Sequence, residues 1–206
     1  MLLHKTPRLA QWLYPNLVWK QKVNAKIIYL TFDDGPIPEV TPWVLGQLKD
    51  YNAKATFFCV GDNIRKHPDV FSKVIQEGHS IGNHTFHHLN GWKTDNTTYL
   101  KDFLSCEEEI QKNGIKSNLF RPPYGRITPK QIKQLSSRQI IMWDVLSGDF
   151  SIKTKPEEVL AASIKYTRNG SIVVFHDSQK AMSNLQYALP RYLAHFNQLG
   201  YEFHAL

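Results

Sequence analysis

A chain of 206 residues with 42% hydrophobic and 12% aromatic content can bury a sizeable core, and its length suits one large α/β domain better than two small ones. Its formal charge of +7 comes from scattered lysines and arginines with no basic run or recognised nucleic-acid module, so no nucleic-acid partner is expected. No stretch approaches the roughly 18 uncharged apolar residues of a membrane span, and His4, Lys5, Pro7 and Arg8 interrupt the start before a signal-peptide core can form, so the chain reads as soluble and, by default, cytoplasmic.

Residues 1–25 read as an N-terminal extension. Trp12, Leu13, Tyr14, Leu17, Val18 and Trp19 make it apolar enough to pack on the domain as an extra element. Few basic residues accompany them, which counts against a membrane-surface role or stable insertion. Beyond it, β-branched and aromatic runs near 26–32, 55–60, 80–84, 118–121, 139–145, 171–176 and 201–205 predict seven strands. The segments 38–51, 62–77, 95–113, 128–137, 156–168 and 181–199 carry apolar residues at helical spacing, as in Val70 and Val74 with Phe71 and Ile75. This alternation predicts an α/β fold with a parallel sheet and helices outside, and periodicity does not choose between an open sheet and a barrel. Cys59 and Cys106 have neither metal-site nor disulfide spacing and read as free thiols.

Asp33-Asp34 follows the apolar run Ile27 to Leu30, where Gly35-Pro36 breaks the strand. Neighbouring side chains on a strand point to opposite faces, so two consecutive aspartates converge on one site only where the chain leaves the strand. Asp33-Asp34, His84, Arg121, Asp149 and His176-Asp177 all fall at or just after predicted strand ends, the rim where α/β folds place ligands. His84 and His88, four apart, share a face if they lie on one helical turn, and one of the two aspartates completes a two-His, one-carboxylate metal set. On spacing alone His87 competes with His88. Pro122 and Pro123 stiffen the loop after Arg121, Gly125 permits a close approach, and the loop's backbone N–H groups can face an oxyanion. His176, ending the apolar run 171–175, suits proton transfer near neutral pH, and Asp144 or Asp149 can orient it or Arg121. No G-x-S-x-G elbow appears, which argues against a serine hydrolase.

Thr31-Phe32-Asp33-Asp34-Gly35, His84-Thr85-Phe86-His87-His88, Arg121-Pro122-Pro123-Tyr124-Gly125, the Asp149-Phe150 region and Val174-Phe175-His176-Asp177 resemble, in order, the five motifs of the NodB-like polysaccharide deacetylases, carbohydrate esterase family 4. The resemblance spans about residues 26–206, which it implies form the catalytic domain as a distorted (β/α) barrel of about seven or eight strands. It implies Asp33 as general base, and Asp34, His84 and His88 as ligands of a divalent metal, commonly zinc, with cobalt, nickel or manganese as alternatives. Arg121 would orient Asp33, the Tyr124 backbone N–H would join an oxyanion hole, and His176, supported by Asp149, would be the general acid. Phe150, Val174, Pro123 and Tyr124 would contact substrate, with Phe150 and Val174 replacing the Trp and Leu usual in the family.

The implied activity is hydrolysis of N-acetyl groups on an N-acetylglucosamine-containing glycan of peptidoglycan or chitin type, performed by a monomer. Such a cell-wall substrate would require export. The alternatives are O-deacetylation of an acetylxylan-like glycan and a catalytically silent carbohydrate-binding homologue.

Overall fold

The computed structural model describes residues 3–206. In chain order the elements are α1 (Arg8–Leu13), β1 (Ile27–Asp33), α2 (Val40–Lys49), β2 (Thr56–Cys59), α3 (Gly61–Lys66), α4 (Pro68–Gln76), β3 (Ser80–Asn83) and α5 (Asn96–Lys112). Then come β4 (Leu119–Phe120), a 3-10 turn (Pro123–Gly125), α6 (Pro129–Gln134), β5 (Gln139–Ile140), β6 (Val145–Leu146), α7 (Pro156–Tyr166), β7 (Ile172–His176), α8 (Met182–Gln198) and β8 (Glu202–His204). The strands form one sheet in the order β5-β4-β3-β2-β1-β7-β6, every pairing parallel. β8 lies beside the first half of β1, pairing Ile27 to Tyr29, while β2 pairs its second half from Thr31.

Chain connectivity forces this sheet to curl. β5 and β6 are its two edges, yet only residues 141–144 join them. Five residue steps span at most roughly 18 Å, whereas seven flat strands would hold the edges roughly 29 Å apart. The sheet therefore bends into an open barrel, and the N-terminal segment covers the edges left facing each other. Lys5 bridges antiparallel to Val145, Val18 parallel to Ile141, and Lys20 antiparallel to Ser171. Covering an edge satisfies backbone groups that would otherwise pair with another chain.

Strand alternation divides the side chains between two faces. Phe57, Phe32 and Phe175, register partners on β2, β1 and β7, stack at 5.1 and 6.2 Å in the main core, which also takes Leu185, Leu189 and Tyr192 of α8. Thr31 and Asp33 take the other face, inside the curl.

Three expectations change. The run 139–145 is two short strands rather than one, so eight strands replace seven. The helix expected over 62–77 is two, because His67, before Pro68, leaves helical geometry at φ −131° and Pro68 starts α4. The apolar N-terminal residues divide: Leu17 is buried and Val18 and Trp19 half-buried, but Trp12, Leu13 and Tyr14 are exposed.

Candidate active site

The turn after β1 is held open by one buried carboxylate. Asp177 accepts hydrogen bonds from the Gly35 N–H (3.0 Å) and the Thr41 hydroxyl (2.6 Å). A Cβ on residue 35 would lie 2.0 Å from Asp177 Oδ2, so glycine is required there for close approach rather than for flexibility. With Asn63 Nδ2 donating to the Asp34 carbonyl (2.7 Å), this fixes Asp34 at φ +85° and turns it away from the direction Asp33 takes. The sequence placed Asp177 on the rim; its contacts assign it to holding the backbone of the two aspartates.

His84 and His88 come together without a helix. Residues 84–88 form a loop with positive φ at Thr85 and His88, and the two rings lie 5.0 Å apart. Helical spacing fails here because buried polar side chains take the loop's N–H groups: Asn83 Oδ1 accepts from Thr85, and Asp102 Oδ2 from both Phe86 and His87. Asp102, on α5, also takes the His87 ring at 2.5 Å, leaving that ring largely in solvent and outside the metal cluster. Asp102 was missed from sequence because nothing at its position marks it as more than a helix residue.

Asp34, His84 and His88 each offer a ligand atom within 4.8 Å of the others. Nε2 of His88 is 3.3 Å and Nε2 of His84 is 3.8 Å from Asp34 Oδ1. His84 Nδ1 sits 2.7 Å from the Arg121 carbonyl, which can only accept, so Nδ1 carries the proton and Nε2 keeps its lone pair for a cation. Two imidazoles and a carboxylate fit zinc or a related divalent ion.

Beside this cluster, Asp33 Oδ1 accepts from Arg121 Nη1 at 2.6 Å. Arg121 is fully buried, and its other donors go to Thr31 Oγ1 (2.7 Å) and the carbonyls of Ile141 (3.2 Å) and Met142 (3.0 Å), with Phe58 stacked at 4.1 Å. Asp33 Oδ2 has no hydrogen-bond partner among the described residues. On the neighbouring strand His176 is the register partner of Asp33, which puts both on one face about 5 Å apart. His176 Nδ1 and backbone N both meet Asp149, each at 2.8 Å. Asp144, the other candidate, bonds Lys5 and Ser171 instead and takes no part.

A cleft of about 580 Å³ opens onto Asp33, Asp34, His84, His88 and His176, and Tyr124, Trp143, Phe150 and Val174 also line it. Pro123 is buried and does not line it. Phe150 packs edge-on against His176 with centroids 4.9 Å apart. Tyr124 stands at φ +60° with its hydroxyl 3.2 Å from His88 Nδ1, and its backbone N–H has no partner among the described residues. Trp143 was read only as part of a strand; the break between β5 and β6 turns it to the cleft.

A model of the polysaccharide deacetylase family matches residues 20–142, more than half of the chain and three of the five motifs. The chain belongs to the NodB-like polysaccharide deacetylases. It is 34% identical over 191 residues to a peptidoglycan-N-acetylglucosamine deacetylase of Bacillus cereus, covering 91% of this chain and 89% of that protein. It is 33% identical over 188 residues to the peptidoglycan-N-acetylglucosamine deacetylase PgdA of Listeria monocytogenes, covering 89% of this chain but 38% of the longer relative. Among solved structures, a peptidoglycan N-acetylglucosamine deacetylase in complex with 4-naphthalen-1-yl-N-oxidanyl-benzamide superposes with a TM-score of 0.89 at 30% identity, covering 98% and 95% of the two chains. The curled parallel sheet is thus the fold of this deacetylase family.

In this polysaccharide deacetylase two of the three imidazoles facing the cleft's carboxylates are driven in opposite directions. Burial pushes His84 down to about 4, keeping it neutral for metal binding. Burial also works against His176, but Asp149, joined by Asp34 and Asp33, outweighs it and raises His176 to about 9. Burial likewise opposes the charge of Asp34, yet its hydrogen bond with His88 and the charge on His176 hold it well below the usual carboxylate range. Asp177 goes the other way, raised by burial to about 8, in keeping with its enclosed position.

The sign for His176 follows from linkage. A histidine raised from 6.5 to about 9 on folding contributes stability that is complete below 6.5 and lost as pH rises through about 9. It also remains protonated at neutral pH. Asp149→Asn removes the negative charge but leaves the burial, so the alkaline limb of the pH-rate profile is expected to move from near 9 to lower pH. An unmoved limb would show that His176 does not set it.

Proposed function

We propose that this protein is a metal-dependent hydrolase that removes N-acetyl groups from an N-acetylglucosamine-containing glycan of peptidoglycan or chitin type and releases acetate. The observation that carries the reading is the single cleft that gathers three atoms able to ligate a metal, a carboxylate fixed by a buried arginine, and a histidine hydrogen-bonded to a buried aspartate. Residues 26–206 serve as the catalytic domain, with 1–25 as an N-terminal extension of it. The relatives named as peptidoglycan deacetylases support an amide rather than an ester substrate.

Asp34, His84 and His88 would hold the ion, most readily zinc, which supplies Lewis acidity toward the acyl carbonyl and the attacking water. Asp33 takes the proton from that water through Oδ2, since Arg121 occupies Oδ1 and prevents the carboxylate from rotating. The unpaired N–H of Tyr124 is available to the tetrahedral oxyanion. His176 donates its Nε2 proton to the departing amine, while Asp149 holds Nδ1 and keeps the ring aligned. An amine needs this proton because it leaves poorly as an anion. Tyr124, Trp143 and Phe150 offer ring faces to the sugar. Phe150 lacks an indole donor and Val174 is shorter than leucine, so these two residues bound the acyl group by shape and offer it no side-chain hydrogen bond.

His84→Ala tests the assignment directly. It removes a buried ligand whose orientation is already fixed, so bound zinc is expected to fall well below one ion per chain after dialysis, and acetate release to fall with it. A variant that keeps both its ion and its activity would refute His84 as a ligand.

A further inference from the structure

Half of the large apolar side chains that are exposed among the described residues fall within residues 3–14. On α1, Leu9, Trp12 and Leu13 are 64%, 75% and 56% exposed, whereas Ala10 and Gln11 are partly covered by the domain. The three exposed residues are at i, i+3 and i+4, so they share one outward face, flanked by Leu3 at 65% and Tyr14 at 40%. Trp12 is the second most exposed of these large apolar residues anywhere in the described chain, after Ile152.

The charge of the N-terminal stretch is one-sided. Residues 1–32 contain Lys5, Arg8, Lys20, Lys22 and Lys26 and no Asp or Glu, so this stretch carries +5 of the formal +7. Lys5 is neutralised by Asp144 at 2.6 Å. Arg8, Lys20 and Lys22 are exposed and form no ion pair among the described residues. An open groove of about 930 Å³ runs from Gln11 past Trp19 to Lys20, Lys22, Asn24 and Asn169, and no carboxylate lines it. The few basic residues read from the sequence thus weigh more than their number, because the segment holds no acidic residue of its own and, among the described residues, only Lys5 is paired from elsewhere.

We propose that the N-terminal segment docks this protein on an anionic membrane surface, with Leu9, Trp12 and Leu13 entering the boundary between headgroups and acyl chains and Arg8, Lys20 and Lys22 meeting lipid phosphates. The combination matches interfacial helices, which bind by buried apolar area plus attraction of basic residues to anionic lipid. A helix of only six residues cannot span a bilayer, so α1 itself lies at the surface in this arrangement. Charge selects lipid over a second copy of this chain, since two such faces brought together would place like charges against each other.

The test is co-sedimentation of the full chain with vesicles of phosphatidylcholine alone and of phosphatidylcholine mixed equally with phosphatidylglycerol, at low and high salt. Binding is expected only to the anionic vesicles and is expected to weaken with salt. Two variants separate the contributions: Leu9→Ser/Trp12→Ser/Leu13→Ser, and Arg8→Gln/Lys20→Gln/Lys22→Gln. Each is expected to lower the partition by about tenfold or more while acetate release from a soluble oligomer is unchanged. The idea is overturned if the wild-type chain stays in the supernatant with anionic vesicles, or if the apolar variant binds as well as the wild type. It is also overturned if the protein self-associates without lipid, the apolar variant is monomeric, and neither binds vesicles, because a second copy then covers the face.

Discussion

Asp33→Asn is expected to lower acetate release by about 10²–10⁴-fold, the range a positioned general base contributes, while leaving bound metal unchanged. The ligands Asp34, His84 and His88 do not include Asp33, so metal content and turnover should separate in this variant. Asparagine still accepts from Arg121 Nη1 through its amide oxygen, and the side chain keeps its place, but it has no basic oxygen for the proton. The loss should appear in kcat and in kcat/KM together, as for a group that acts only in the transition state. Because the change also removes the counter-charge of a buried guanidinium, urea unfolding is measured alongside, so that lost catalysis is not confused with lost fold. Residual activity within about tenfold of wild type would remove Asp33 from the role of base.

Arg121→Met should cost about 3–5 kcal/mol of folding stability, the effect of leaving one partner of a buried ion pair without the other. Arg121 has no exposed surface, and Asp33 is only 4% exposed, so water does not readily repair the loss. The guanidinium also ties four separate places together, Asp33 and Thr31 on β1 and the carbonyls of Ile141 and Met142 between the sheet edges. Arg121→Lys is expected to recover only part of the stability, because one ammonium cannot reach four such groups in a plane. Denaturant midpoints of the three proteins measure this, and a methionine variant as stable as wild type would contradict the structural role given to the pair. Activity should fall in both variants, since Asp33 then loses its fixed orientation.

The polar rim was legible in the sequence because each of its residues ends or follows a short run that reads as a strand. Asp33, His84, Arg121 and His176 lie at the ends of β1, β3, β4 and β7, and strand alternation alone sends Asp33 and His176 to one face. What local patterns could not carry was set by distant contacts. Residues 139–145 are apolar almost throughout, so nothing local shows the break at 141–144 that Arg121 stabilises by taking two of its carbonyls. The spacing of His84 and His88 fits a helix equally well, and it is Asn83 together with Asp102, a remote residue on α5, that makes the segment a loop. Asp144 and Asp149 were equivalent by position; Lys5 and Ser171 claim the first and His176 the second. Gly35 read as a turn glycine, and its further requirement, room for Asp177, depends on the end of β7. The exposure of α1 also escaped the sequence, where its apolar content suggested only packing.

The most direct measurement is acetate release from N-acetylglucosamine oligomers, peptidoglycan and acetylxylan by protein stripped with a chelator and then given zinc, cobalt or no metal. Release from an N-acetylated glycan that disappears on stripping and returns with a divalent ion is the predicted result. Undiminished release by the stripped protein, or release from acetylxylan alone, would contradict metal-dependent N-deacetylation.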